Sequence, residues 1–205
     1  MVSKAEHLPP LSRGPSLAEY LVLGLIDERP THGFALARLV ARDGALGRVY
    51  VIPRPVVYRS IGRLAEAGLV QPQGVERGQG GPQRTVFRIT PRGRRVLRSW
   101  LSRPVEHVRD LRTEFLAKLA LLERMDADPG PLLVAQRRVL EPIVAALAEQ
   151  QRTVRGFDRT VLAWRYQAAQ AAIRFLDDLH EMIPPPGQTT GSGPPAGRRP
   201  AAQPG

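Results

Sequence analysis

The sequence predicts a mainly α-helical protein: a winged helix-turn-helix, built from three helices and a two-stranded β-wing, followed by an α-helical dimerisation domain. Three observations carry that expectation. Apolar residues recur at helical spacing through most of residues 16–183. The period shortens to that of a strand only between Leu69 and Ile89, around a connection rich in glycine and proline. The charge is also uneven: the chain has 30 Lys and Arg against 19 Asp and Glu, net +11, and residues 1–103 hold nearly all of the excess. A basic N-terminal half on a balanced C-terminal half suggests a polyanion-binding module joined to something else.

Each element has its own signals. Ser16 is a good N-cap with Glu19 at capping-box spacing, and Leu17, Tyr20, Leu21, Leu23, Leu25 and Ile26 follow, so a first helix runs to about Asp27, before Pro30. Thr31 reads as the cap of a second helix whose apolar side is Phe34, Leu36, Leu39 and Val40. Gly44 and Gly47 break the chain. A third helix spans about Pro55 to Ala67, with Val57, Ile61, Leu64 and Ala65 as its buried stripe and Gly68 closing it in the left-handed conformation. Leu69-Val70 begin a strand, and Val86, Phe87 and Ile89 complete its partner across a long hairpin containing Gly74, Gly78, Gly80, Gly81 and Pro82. Thr90 then caps a fourth helix, with Pro91 at its first position and Val96, Leu97, Trp100 and Leu101 along it.

A second unit begins at Pro104. Residues 109–125 place Leu111, Phe115, Leu119 and Leu122 on one face of a helix; 132–155 are periodic again, with Pro142 expected to kink or split the run; and Gly156 precedes a last helix over 158–183. The expected domains are therefore a flexible N-terminal segment (1–15), the winged helix (16–103), the helical dimerisation and effector domain (104–183) and a disordered Pro/Gly-rich tail (184–205). Several apolar faces in so short a helical unit have little of their own to pack against, which predicts exchange between the two protomers of a homodimer.

The composition excludes much else. Without cysteine there is no disulfide scaffold, zinc finger, iron–sulfur site or thiol nucleophile. His7, His32, His107 and His180 are too dispersed for a metal site, no G-x-S-x-G occurs, and the Gly78–Gly81 run is followed by a strand where a phosphate-binding loop needs a helix. No catalytic residue, metal or cofactor is expected. The longest apolar run, Leu21 to Ile26, is too short for a membrane span and no signal peptide is evident, so the expected setting is the cytoplasm.

The candidate site is a DNA-binding surface. In a winged helix the third helix enters the major groove, and on it Arg54, Arg59, Ser60 and Arg63 are expected opposite Val57, Ile61 and Leu64, with Tyr58 contacting phosphate or packing on the second helix. Arg77 and Arg84 lie in the wing, placed to reach a minor groove or the flanking backbone. The expected partner is double-stranded DNA, read as a pseudo-palindromic operator by a two-fold homodimer. The rival reading is a winged-helix protein-interaction adaptor without specific DNA binding. His32 is read as a capping or packing residue and Gly33 as a point of close helix approach.

Thr31-His32-Gly33-Phe34, then Val57-Tyr58 with Ile61, Leu64, Ala65 and Gly68-Leu69-Val70, then Gly80-Gly81-Pro82-Gln83-Arg84 and Ile89-Thr90-Pro91-Arg92-Gly93, resemble the PadR-type transcriptional regulators. The resemblance covers residues 16–102; residues 109–183 match the longer members only in outline, best at Phe115-Leu116-Ala117-Lys118-Leu119. It implies a winged helix, dimerisation through the C-terminal helices and, in repressors of this kind, release by a small-molecule effector. Because some relatives bind flat aromatic compounds at the dimer interface, Trp100 and Trp164 become candidate effector contacts, beside the plainer reading that they pack. Pro53-Arg54-Pro55 stands where the family commonly has a Ser or Thr cap, and Val86-Phe87 where it has an aromatic pair.

Overall fold

Ser16 starts the first helix as its spacing to Glu19 requires. In this computed structural model, which describes residues 14–77 and 83–183, the Ser16 N–H donates to Glu19 Oε2 at 2.7 Å and Ser16 Oγ accepts from the Glu19 N–H at 3.4 Å. The helix, α1 (Leu17–Glu28), is buried at every position from Ala18 to Ile26. A helix apolar all round has no wet face to offer, so α1 is the central post of the structure.

Thr31 does not cap the second helix. It forms with His32 a short strand, β1 (Thr31–His32), and His32 is the cap: its Nδ1 accepts from the Ala35 N–H at 3.2 Å at the start of α2 (Gly33–Leu39). After a loop anchored by buried Leu46 and Ile52 comes α3 (Arg54–Glu66). Gly68, at φ +66°, closes α3; its N–H donates to the Ala65 carbonyl and the Leu69 N–H to the Leu64 carbonyl, which satisfies two carbonyls the helix leaves over.

The wing follows as an antiparallel hairpin, β2 (Val70–Arg77) and β3 (Gln83–Ile89), in register from Val70 opposite Ile89 to Arg77 opposite Gln83, with a slip between Pro72 and Gly74. β1 joins the other side of β3, so the sheet order is β1-β3-β2. That leaves β2 at an edge, where Pro72 can lack an N–H without cost to the ladder. Two residues are too few to show an alternating pattern, which is why β1 is not legible in the sequence. Thr90 links the wing to α4 (Pro91–Leu101): its Oγ1 accepts from the Gly93 N–H at 3.0 Å and donates to the Gly68 carbonyl at 2.7 Å, joining the start of α4 to the end of α3.

Beyond Pro104 the expected single helix over 109–125 is broken into three pieces. A 3-10 turn (Val108–Asp110) and a π-helical turn (Leu111–Phe115) precede α5 (Leu116–Arg124). One wide turn shifts the apolar stripe too little for spacing to reveal it. Next, α6 (Gly130–Thr153) passes through Pro142 without a break and, after Gly156 at φ +65°, α7 (Phe157–Met182) returns antiparallel beside it, with Arg137 pairing Asp177. The hydrophobic core does not stop at Pro104: it runs from α1 into α5, α6 and α7, and Gly24 lies so close to Leu121 that a Cβ there would sit 2.7 Å from the leucine side chain. Among the described residues no helix is long and apolar enough to cross a membrane. Most of the N-terminal segment 1–15, the hairpin residues Gly78 to Pro82 and the tail 184–205 lie outside the described residues.

Candidate nucleic-acid interface

The outward side of α3 carries Arg59, Gly62 and Arg63, all exposed, with Arg54 exposed at its first turn. Arg59 has no ion pair among the described residues. Arg63 is half committed: its guanidinium reaches Glu19 Oε1 at 3.3 Å, the same carboxylate that closes the capping box of α1. Ser60 is a correction. It is 3% exposed, on the inward side with Val57 and Leu64, because a residue three after one core position and four before the next shares their face of the helix. As it stands Ser60 cannot reach a base edge.

Of the two readings of Tyr58, packing on the second helix is the one the structure describes. Its ring lies against the start of α2, so close that a Cβ on Gly33 would stand 2.7 Å from Tyr58 Cε1, while the side chain stays 46% exposed. A side chain at position 33 would have to push the Tyr58 ring away. The guanidinium carbon of Arg54 lies 5.3 Å from the Phe34 ring centre and 5.8 Å from that of Tyr58. Arg84, reaching across from β3, lies 4.6 Å from the same Phe34 ring. α3 and the wing thus meet over one aromatic side chain, in a cleft of about 540 Å³ also lined by His32, Gly62 and Gln83. Phe34 was legible in the sequence only as a core residue; nothing in its spacing announces two cations. Arg77 stands at the outer end of β2, opposite Gln83.

The two tryptophans are separated by the 104–110 connection. Trp100 is buried, stacked on Tyr20 with ring centres 4.3 Å apart and planes within 6°. Its Nε1 donates to Glu114 Oε1 at 2.9 Å, and Lys118, 1% exposed in its side chain, pairs with the same oxygen at 2.8 Å and donates to the Arg103 carbonyl at 2.7 Å. Burial pulls the Lys118 ammonium below the ordinary lysine value against the opposing pull of Glu114, and burial raises the Tyr20 hydroxyl above the ordinary tyrosine value. Gln136, fully buried, completes this joint by holding both the N–H and the carbonyl of Val105. The joint could have been suspected: Lys118 and Lys4 are the only lysines in a chain whose cations are otherwise arginine. Trp164 is the opposite case, 74% exposed on α7 beside an apolar groove of about 610 Å³ that also includes Val108, Arg109, Arg112, Ile143 and Leu147. Among the described residues no cluster of three or more His, Asp or Glu could hold a metal ion.

Residues 22–99 match the family model of the transcriptional regulator PadR-like family. Among solved structures the chain is similar to Bacillus subtilis PadR in complex with operator DNA, at 16% identity over 82% of this chain and 100% of that one, with a TM-score of 0.42. The same protein in complex with p-coumaric acid aligns at 16% identity over 82% and 98%, TM-score 0.39. The structure of smu.1604c from Streptococcus mutans UA159 aligns at 15% identity over 80% and 98%, TM-score 0.38. No curated protein matches the chain significantly.

Proposed function

We propose, for a chain whose residues 22–99 form a PadR-like transcriptional-regulator module, that it is a sequence-specific DNA-binding regulator acting as a homodimeric repressor released by a small-molecule effector. The observation that carries the reading is the exposed basic surface where α3 and the wing meet, with Arg59 unpaired on the outer face and Arg54 and Arg84 gathered at one edge. Arg59 reads base edges and the flanking arginines hold phosphates. The homodimer forms through the C-terminal helices and sets two recognition helices about one turn of DNA apart. The groove beside Trp164 takes the effector; a ligand there bears on α6, α7 and the 104–110 connection, and so on the spacing of the two recognition helices.

The test is selection of duplexes from a random-sequence pool by the purified protein, followed by affinity measured against salt. Enrichment of a pseudo-palindromic sequence and a steep fall in affinity with salt are expected, since each phosphate neutralised releases counterions. A protein that enriches nothing and binds duplex without salt dependence is an adaptor, and the proposal fails.

A further inference from the structure

Two arginines on this surface are placed where folding stability alone would not put them. Arg54 is the first residue of α3, at the positive end of the helix dipole, where an acidic residue would be favoured and where Pro53 supplies no capping side chain. Arg84 stands directly across the hairpin from Glu76, an ideal cross-strand partner, yet makes no ion pair with it. Glu76 lies 3.9 Å from His32 Nε2 instead, and Arg84 turns over Phe34. The result is two guanidinium groups over one half-buried ring, with no carboxylate among the described residues neutralising either. An aromatic face holds a guanidinium through its plane and leaves the edge N–H donors free. Two cations held against one ring draw an anion to that edge of the surface, and a phosphate, with several acceptor oxygens, suits two planar forks.

We propose that Phe34 is a positioning residue that holds Arg54 and Arg84 as a clamp for a single DNA phosphodiester, so that recognition helix and wing engage the backbone as one unit. The inference rests on the DNA-binding reading above and goes further by naming the residue that couples the two elements. Phe34 itself touches no DNA; it fixes the separation of two cations that come from distant parts of the chain.

The experiment uses the full chain and a duplex that it has selected from a random pool. Phe34→Leu keeps the volume and removes the ring face; it should weaken binding roughly five- to twentyfold and flatten the salt slope by about one unit. Phe34→Tyr, which restores the ring, should recover most of that loss. Replacing single phosphates with neutral methylphosphonate should reveal one position in each half-site whose neutralisation weakens the wild type strongly and Phe34→Leu hardly at all. A merely structural role for Phe34 predicts a lower Tm with the salt slope and the methylphosphonate pattern unchanged, and that outcome overturns the clamp while leaving the DNA-binding reading intact. Should Phe34→Leu fail to fold, Arg54→Gln, Arg84→Gln and the double variant decide: strongly coupled losses support the clamp and simple additivity overturns it. Absence of any salt-dependent duplex binding by the wild type overturns both readings together.

Discussion

Single residues on α3 separate stability from recognition. Gly62 is exposed in the middle of the helix, and a Cβ there would meet nothing within 4 Å. Gly62→Ala should therefore stabilise the fold by about 0.5–1 kcal/mol, read as a higher Tm, because alanine loses less backbone entropy in a helix. If the bare backbone lets α3 sit deep in the groove, the same variant binds the selected duplex more weakly, and unchanged affinity would show that Gly62 faces no DNA. Arg59→Ala should cost about 1–3 kcal/mol of binding to that duplex and relax the preference at one base pair, checked by repeating the selection with the variant. At the joint, Lys118 and Tyr20 give opposite alkaline signatures. The folded-state value of Lys118 lies below the ordinary 10.5, so between the two the unfolded chain binds more protons and stability rises with pH. That of Tyr20 lies above the ordinary 10.0, so past pH 10.0 the folded chain keeps a proton the unfolded one loses, and stability falls. Denaturant midpoints across the alkaline range should lose the rise in Lys118→Met and the fall in Tyr20→Phe.

Among the elements, α6 tolerates a residue that its sequence position should forbid. Pro142 deprives the Arg138 carbonyl of its helical donor and crowds it with the ring, yet the helix runs unbroken from Gly130 to Thr153. Pairing with α7, including the Arg137–Asp177 contact, offsets that cost. Position 142 is exposed, so Pro142→Ala restores the bond without creating a cavity and should stabilise the chain by about 1–3 kcal/mol. A lower Tm would mean instead that the pairing of α6 and α7 depends on the proline. The π-helical turn before α5 is an element of the other kind, invisible in spacing because one inserted residue is absorbed within a single turn. It stands directly ahead of the joint, with Glu114 on the turn and Lys118 one helical turn further along.

For the whole molecule, α7 leaves Phe157 and Trp164, seven residues apart and so on one face, 79% and 74% exposed. A row of large apolar side chains in water is what a second copy would cover. The paired variant Phe157→Glu, Trp164→Glu should keep its Tm close to wild type at low concentration, shift the mass seen by light scattering to that of one chain, and lose most of its affinity for a palindromic duplex. A variant that remains a dimer would place the interface elsewhere. The sequence by itself determined what depends on near neighbours. Ser16 with Glu19, Gly68 after α3 and Thr90 before α4 each close hydrogen bonds within a few residues, and the apolar spacing around Val57, Ile61 and Leu64 named the core face of α3. Tertiary structure decided what depends on distant ones. Arg63 is shared with Glu19 of α1, a partner 44 residues away along the chain. Phe34 gathers one cation from α3 and one from the wing, and Lys118 is held by a carbonyl beyond α4. Local hydrogen bonding and periodicity act over one or two turns of chain, whereas a cation's partner is chosen by proximity in space, which no spacing along the sequence encodes.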